Sequence, residues 1–74
     1  MDDAAIRDAI RGLAEAREGT FCPSEVARAL SDDWRPLMED VRRVASGTDG
    51  IVATRGGAPV DAVRARGPIR LGRA

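Results

Sequence analysis

Gly47-Thr48-Asp49-Gly50-Ile51-Val52-Ala53-Thr54-Arg55-Gly56-Gly57 is the stretch on which the fold turns. Ahead of it, apolar residues recur with helical spacing. Within and beyond it they are often β-branched and are punctuated by glycine. Gly47 and Gly50 bracket a turn that ends a helix, and residues 51–55 are strand-like by their β-branched content. Gly56-Gly57-Ala58-Pro59 reads as the next turn, with Pro59-Val60 beginning a return strand. Further on, Pro68-Ile69-Arg70-Leu71 alternates as a second or third strand. Residues 62–67 are compatible with more than one structure, and Gly72-Arg73-Ala74 is expected to fray.

Working back from Gly47, the residues Trp34, Leu37, Met38, Val41, Val44 and Ala45 form a stripe at three- and four-residue spacing. That stripe predicts a helix over residues 34–46, with Pro36 tolerated in its first turn. A second helix begins at Pro23-Ser24-Glu25, where proline's missing N–H costs nothing. Cys22 or Thr20 serves as its cap, Val26, Ala29 and Leu30 form its buried edge, and Ser31-Asp32-Asp33 ends it. The first helix is capped by Asp2 or Asp3, buries Ile6, Ile10 and Leu13, and stops at Gly19 as a left-handed C-cap. Thr20-Phe21-Cys22 leaves room for one bridge, with Phe21 plugging the core. Three helices followed by a β-ribbon define a mainly α, α+β chain. The order is that of a winged helix-turn-helix in one domain over 1–74, with a three-helix core at 1–48 and a wing at 49–72.

Seventy-four residues bury only about 60% of their unfolded surface. The hydrophobic fraction is 43%, much of it alanine, so large anchors are few: Ile6, Ile10, Leu13, Phe21, Val26, Leu30, Trp34, Leu37, Val41, Val44, Ile51, Val60, Ile69 and Leu71. One cysteine, Cys22, and no histidine exclude an intramolecular disulfide and a Cys/His zinc site. No metal or cofactor is expected. No apolar run approaches the ~20 residues that span a bilayer. The acidic opening Asp2-Asp3 is unlike a secretory signal, so the expectation is a cytoplasmic protein with no membrane partner. Charge divides sharply. Residues 1–49 carry 7 Arg against 11 Asp+Glu, a net of −4, and residues 50–74 carry 5 Arg against 1 Asp, a net of +4. All twelve basic residues are arginine, and the whole chain is neutral.

Three blocks carry a family resemblance: Cys22-Pro23-Ser24-Glu25-Val26-Ala27-Arg28-Ala29-Leu30, then Trp34-Arg35-Pro36-Leu37-Met38 with Val41-Arg42, then Gly67-Pro68-Ile69-Arg70-Leu71. In that order they resemble a small bacterial family known as a domain of unknown function and thought to be winged-helix-like. The resemblance implies that fold and brings no catalytic residue, cofactor or ligand.

In a winged helix the third helix reads bases and the ribbon holds the backbone. Arg35 and Arg42 are then the natural groove readers, since arginine donates two hydrogen bonds to guanine, and Arg43 lies on the same outward face. Arg55, Arg64 and Arg66 surround the wing, with Arg70 and Arg73 beyond. Five phosphates neutralised by those five would give a slope of log K against log salt of about −4.5. The competing reading is a solvated surface: Arg35–Glu39 and Glu39–Arg43 are both i,i+4 pairs, Asp40 opposes phosphate, and ribbon arginines guard an exposed edge. The start of the second helix could likewise cradle a phosphate, although capping alone accounts for it.

Nothing reads as an enzyme. Ser24 has no histidine to activate it, Gly56-Gly57 is followed by no Lys-Ser/Thr, and Asp32-Asp33 is a cap. Two functions therefore stand. One is weak binding of duplex DNA, linked to transcription regulation. The other is a protein-interaction or dimerisation module with no nucleic-acid role. A continuous positive face over the third helix and wing favours the first; interruption by Asp32, Asp33, Glu39 and Asp40 favours the second.

Overall fold

A computed structural model describes residues 2–74. Helix α1, Asp3–Ala16, starts where the Asp2 carboxylate accepts a hydrogen bond from the Ala4 amide at 3.2 Å, so Asp2 is the cap. Ile6, Ile10 and Ala14 recur every four residues and are buried, with Ala9 and Leu13 at the rim of the core. The helix ends at Ala16, three residues before Gly19, and Gly19 is not left-handed. Arg17 is already extended. Leaving the helix there lets its guanidinium reach Glu25 at 2.6 Å and straightens the chain toward Phe21.

Helix α2, Pro23–Leu30, is capped from inside. The Glu25 carboxylate accepts from the Cys22 amide at 2.9 Å while also receiving Arg17, which satisfies a backbone donor at the helix start. Val26 and Ala27 are buried; Leu30 packs at the core's rim. The single third helix expected over 34–46 is split. Arg35–Leu37 is a 3₁₀ turn, and helix α3 follows as Met38–Ser46. A 3₁₀ turn is frequent at the start of an α-helix, and Pro36 sits in it where its missing N–H costs no bond. The turn is closed by i→i+3 bonding, with Leu37 donating to the Trp34 carbonyl at 3.0 Å.

At the change of character the chain turns within four residues. Thr48, buried, donates its hydroxyl to the Val44 carbonyl at 2.6 Å, and Gly50 takes φ +83°, a conformation that favours glycine. Strand β1, Ile51–Arg55, then runs into a two-residue turn, Gly56-Gly57, at φ +59° and +84°. Positive φ at both central residues matches the twist of a hairpin. Strand β2, Ala58–Val60, includes Pro59 and Val60 as expected and begins one residue earlier, with Ala58, which was expected in the turn. Proline is tolerated there because β2 is an edge. Strand β3, Arg70–Arg73, pairs antiparallel with the other side of β1 in the order β2-β1-β3. Three helices followed by a small antiparallel sheet make a mainly helical α+β, winged-helix-like fold.

The chain end is not frayed. Gly72 is buried, and a Cβ there would lie 3.2 Å from the Thr20 methyl. Ala74 donates to the Gly50 carbonyl at 2.8 Å. Helices and sheet are tied where Phe21 and Leu71 exchange two backbone hydrogen bonds, both 2.8 Å, with both side chains fully buried. Arg70 clamps the same corner, donating to the Thr20 hydroxyl, the Thr20 carbonyl and the Cys22 sulfur. Several expected anchors (Leu13, Leu30, Trp34, Leu37, Ile51 and Val60) sit at the core's rim. Small residues such as Ala27, Ala45, Ala53 and Ala62 fill its interior.

Phe21→Ala is expected to cost about 3–5 kcal/mol, a large share of the roughly 5–15 kcal/mol that holds an ordinary domain, measurable by urea unfolding. A second prediction concerns acid. Arg17's hydrogen bond, then the Cys22 amide, holds the Glu25 carboxyl below its usual range. A carboxyl lowered in the folded state contributes stability above the ordinary pKa of about 4 and loses it as pH falls through the folded value. Glu25→Gln should thus be less stable than the parent near neutrality, the gap closing below about pH 4 in urea titrations.

Candidate nucleic-acid interface

Between β2 and β3 the chain makes a loop whose shape is set by one carboxylate. Asp61 Oδ1 accepts from the amides of Val63 at 2.8 Å and Arg64 at 3.1 Å, and the Asp61 carbonyl accepts from Ala65. Those amide bonds hold the Asp61 carboxyl below its ordinary range, the Arg64 amide most. An aspartate folding the chain two residues on is an Asx turn. Ala62 and Ile69 then pin the loop at both ends by burial, and Gly67 turns it at φ +78°.

Two arginines from outside hold the loop's second half. Arg42, on α3, donates to the Ala65 carbonyl at 2.9 Å and the Gly67 carbonyl at 2.7 Å. Arg55, at the end of β1, donates to the Arg66 carbonyl at 2.5 Å. The result is a shallow groove lined by Arg55, Val60, Asp61, Arg64, Ala65 and Arg66. Its charged lining is three arginines and one aspartate, net +2. Arg64 and Arg66 are exposed, and their side chains have no hydrogen-bond or ion-pair partner among the described residues.

The six arginines expected at the interface are thus distributed unevenly. Arg55, Arg64 and Arg66 come together, with Arg42 beneath them as a tie. Arg43 lies apart in a bidentate pair with Asp3, both distances 2.9 Å, and reaches Asp40 at 3.4 Å. That pairing raises the Arg43 pKa and lowers that of Asp3, the Arg43 hydrogen bond being the largest cause for the carboxyl. Arg35 also lies elsewhere, over the Trp34 ring at 4.7 Å from its centroid, where Arg28 joins it at 4.5 Å. Neither Arg35–Glu39 nor Glu39–Arg43 forms an ion pair among the described residues. Of the two arginines beyond the wing, Arg70 is spent on the Thr20 corner, and Arg73 reaches the Arg17 carbonyl at 3.5 Å.

Asp61 was not read from the sequence as part of the groove, although its position two residues before Val63 is the local signature of the turn it makes. Arg28 was missed too. No spacing rule links it to Trp34 across the α2–α3 turn, and only tertiary folding joins them.

Arg42→Ala should release the loop. Loss of two charge-assisted hydrogen bonds, one of them exposed, is expected to cost about 1–3 kcal/mol and to speed amide exchange at residues 63–67. Arg42→Lys keeps the charge but cannot span two carbonyls, so it should exchange nearly as fast as Arg42→Ala.

No helix among the described residues is long and apolar enough to cross a membrane, and no curated protein matches the chain. The helix-and-ribbon unit, from the α1 start to the last strand, falls within a single family match over residues 3–74. That family is described as Protein of unknown function (DUF3253), and the chain belongs to it.

Proposed function

We propose that this is a binding domain rather than an enzyme, and that it docks weakly on the phosphate backbone of duplex DNA, in a role linked to transcription regulation. The observation that carries the reading is the convergence of Arg55, Arg64 and Arg66 on one groove. They come from a strand end and a loop that Arg42 fastens to α3. Arginine presents several N–H donors in a planar fork suited to phosphate oxygens. Arg64 and Arg66, with no acceptor among the described residues, have all of theirs to offer. On this reading the contact is one of backbone, not of bases. Arg42 serves as a structural tie, Arg43 is occupied by Asp3 and Asp40, and Arg35 stays on Trp34. Asp61 moderates the groove's charge, which accords with weak binding.

The test is fluorescence anisotropy of a mixed-sequence labelled duplex across a salt series. With Arg70 and Arg73 held internally, three arginines remain to neutralise phosphate, and the slope of log K against log salt should be about −2.7. Arg64→Ala/Arg66→Ala should flatten that slope to about −0.9, with little dependence on the duplex sequence. Absence of binding even at low salt would refute the reading.

A further inference from the structure

A second charged cluster sits on different residues and has a different character. Helix α2 ends at Leu30, and the turn that follows is held by the Ser31 hydroxyl accepting from the Asp33 amide at 3.1 Å. This turn brings Arg28, in the last turn of α2, and Arg35, at the start of the 3₁₀ turn, over the same indole. Trp34 is half-buried against the core and both arginines are exposed. The cation–π contact holds both guanidiniums at the ring, and neither donates a hydrogen bond to an acceptor among the described residues.

Carboxylates flank them in the chain: Asp32, Asp33 and Glu39 are all exposed and lie within a few residues of the arginines in sequence. Yet among the described residues none of the three is in an ion pair, and neither are Arg28 and Arg35. Even Arg35–Glu39, which helical spacing would favour, is not made. The two guanidiniums lie over the indole instead. Two cations and three anions from one short stretch of chain are left exposed, with no ion-pair partner among the described residues.

That composition selects its partner. Arg28 and Arg35 are matched two for two by Asp32 and Asp33, with Glu39 beyond, a balance that offers a polyanion no net attraction but lets each copy's cations meet the other's anions. Tryptophan and arginine are the residue types enriched where protein–protein contacts are strongest. A surface bearing both signs around an apolar centre is also complementary to its own image. A two-fold contact needs that self-complementarity, because each residue i meets residue j of the other copy and j meets i. We propose that a second copy of this chain docks on this patch. Trp34 lies near the two-fold axis, and Arg28 and Arg35 pair with the partner's Asp32 and Asp33. Being built on exposed charge, the contact is salt-sensitive. It does not depend on the DNA reading, since it uses none of the groove residues.

The experiment is sedimentation velocity of the full chain over a concentration series at low and high salt, free of nucleic acid. The wild type should move from monomer to dimer as concentration rises, and salt should reverse it. Arg28→Asp/Arg35→Asp and Asp32→Arg/Asp33→Arg, each shown folded by circular dichroism, should both stay monomeric across the series. An equimolar mixture should restore dimers, because the two reversed patches are complementary to each other. Arg28→Ala/Arg35→Ala removes the charge without reversal and should raise the dimer dissociation constant at least tenfold. A wild type that is monomeric throughout at low salt overturns the proposal. So does a reversed pair that fails to recombine while the wild type dimerises. Loss of duplex binding in Arg28→Ala/Arg35→Ala, with the wild type monomeric, would instead assign the patch to nucleic acid and likewise overturn it.

Discussion

Phe21 and Leu71 exchange both backbone hydrogen bonds fifty residues apart in the chain, with their side chains at the centre of the core. That bridge fastens together two parts that also pack directly, since the three helices pack on one another and α3 lies against β1. A short β-hairpin is marginal on its own, and three short strands need a layer to pack on. The helices supply the layer, and the bridge ties the ribbon to it. The bridge also sets Gly72 against Thr20, whose methyl lies 3.2 Å from where a Cβ would stand and would have to yield by a few tenths of an ångström to admit a side chain. Arg70, projecting from the same strand, then closes the corner over Thr20 and Cys22. Together with α3 packed on β1, this contact of long sequence separation sets which side of the sheet meets the helices, and leaves β2 and the Asp61–Gly67 loop at the far edge.

From that placement follows a division among the arginines. In a chain without lysine, arginine must serve both as structural tie and as surface charge. Arg17, Arg42, Arg43, Arg55 and Arg70 each donate to a named protein acceptor at 3.0 Å or less. Backbone carbonyls and carboxylates take these donors up because the guanidinium can span two acceptors at once. A count of basic residues in the ribbon consequently overstates the charge available to a ligand. Of the five, Arg64 and Arg66 are wholly unspent, and Arg55 is spent in part.

Much of the architecture was legible because it depends on local chemistry. The stripe from Leu37 to Ala45, the Pro23 start and the Gly50 stop each follow from a rule that a few neighbouring residues satisfy. The features misjudged depend on partners far away. Arg17 leaves α1 early because Glu25 waits eight residues on, which no propensity encodes. Gly72-Arg73-Ala74 reads as a loose end until β1 and Thr20 are seen beside it. Arg42 looks like an outward base reader because its acceptors are the carbonyls of Ala65 and Gly67, and a carbonyl leaves no mark in sequence. Fold class, in short, rested on periodicity, whereas the site rested on hydrogen bonds that periodicity does not carry.

A neutral chain with its charges segregated behaves differently at different ranges. The molecule extends 29 × 25 × 18 Å, and at physiological ionic strength screening acts over about 8 Å. A phosphate at the Arg55–Arg64–Arg66 groove then feels chiefly the local net of +2, and the acidic surface of the helices, where it lies several screening lengths away, contributes little. At an ionic strength near 0.01 M the screening length grows to about 30 Å, comparable with the whole molecule, so a distant phosphate meets a particle of zero net charge while one at contact still feels the nearest arginines most. Whole-chain charge is therefore the wrong quantity for judging either surface. The groove and the Trp34 patch each present their own sign balance at contact distance, positive at one and mixed at the other. The two balances, held on separate elements, allow a single small domain two chemically distinct surfaces.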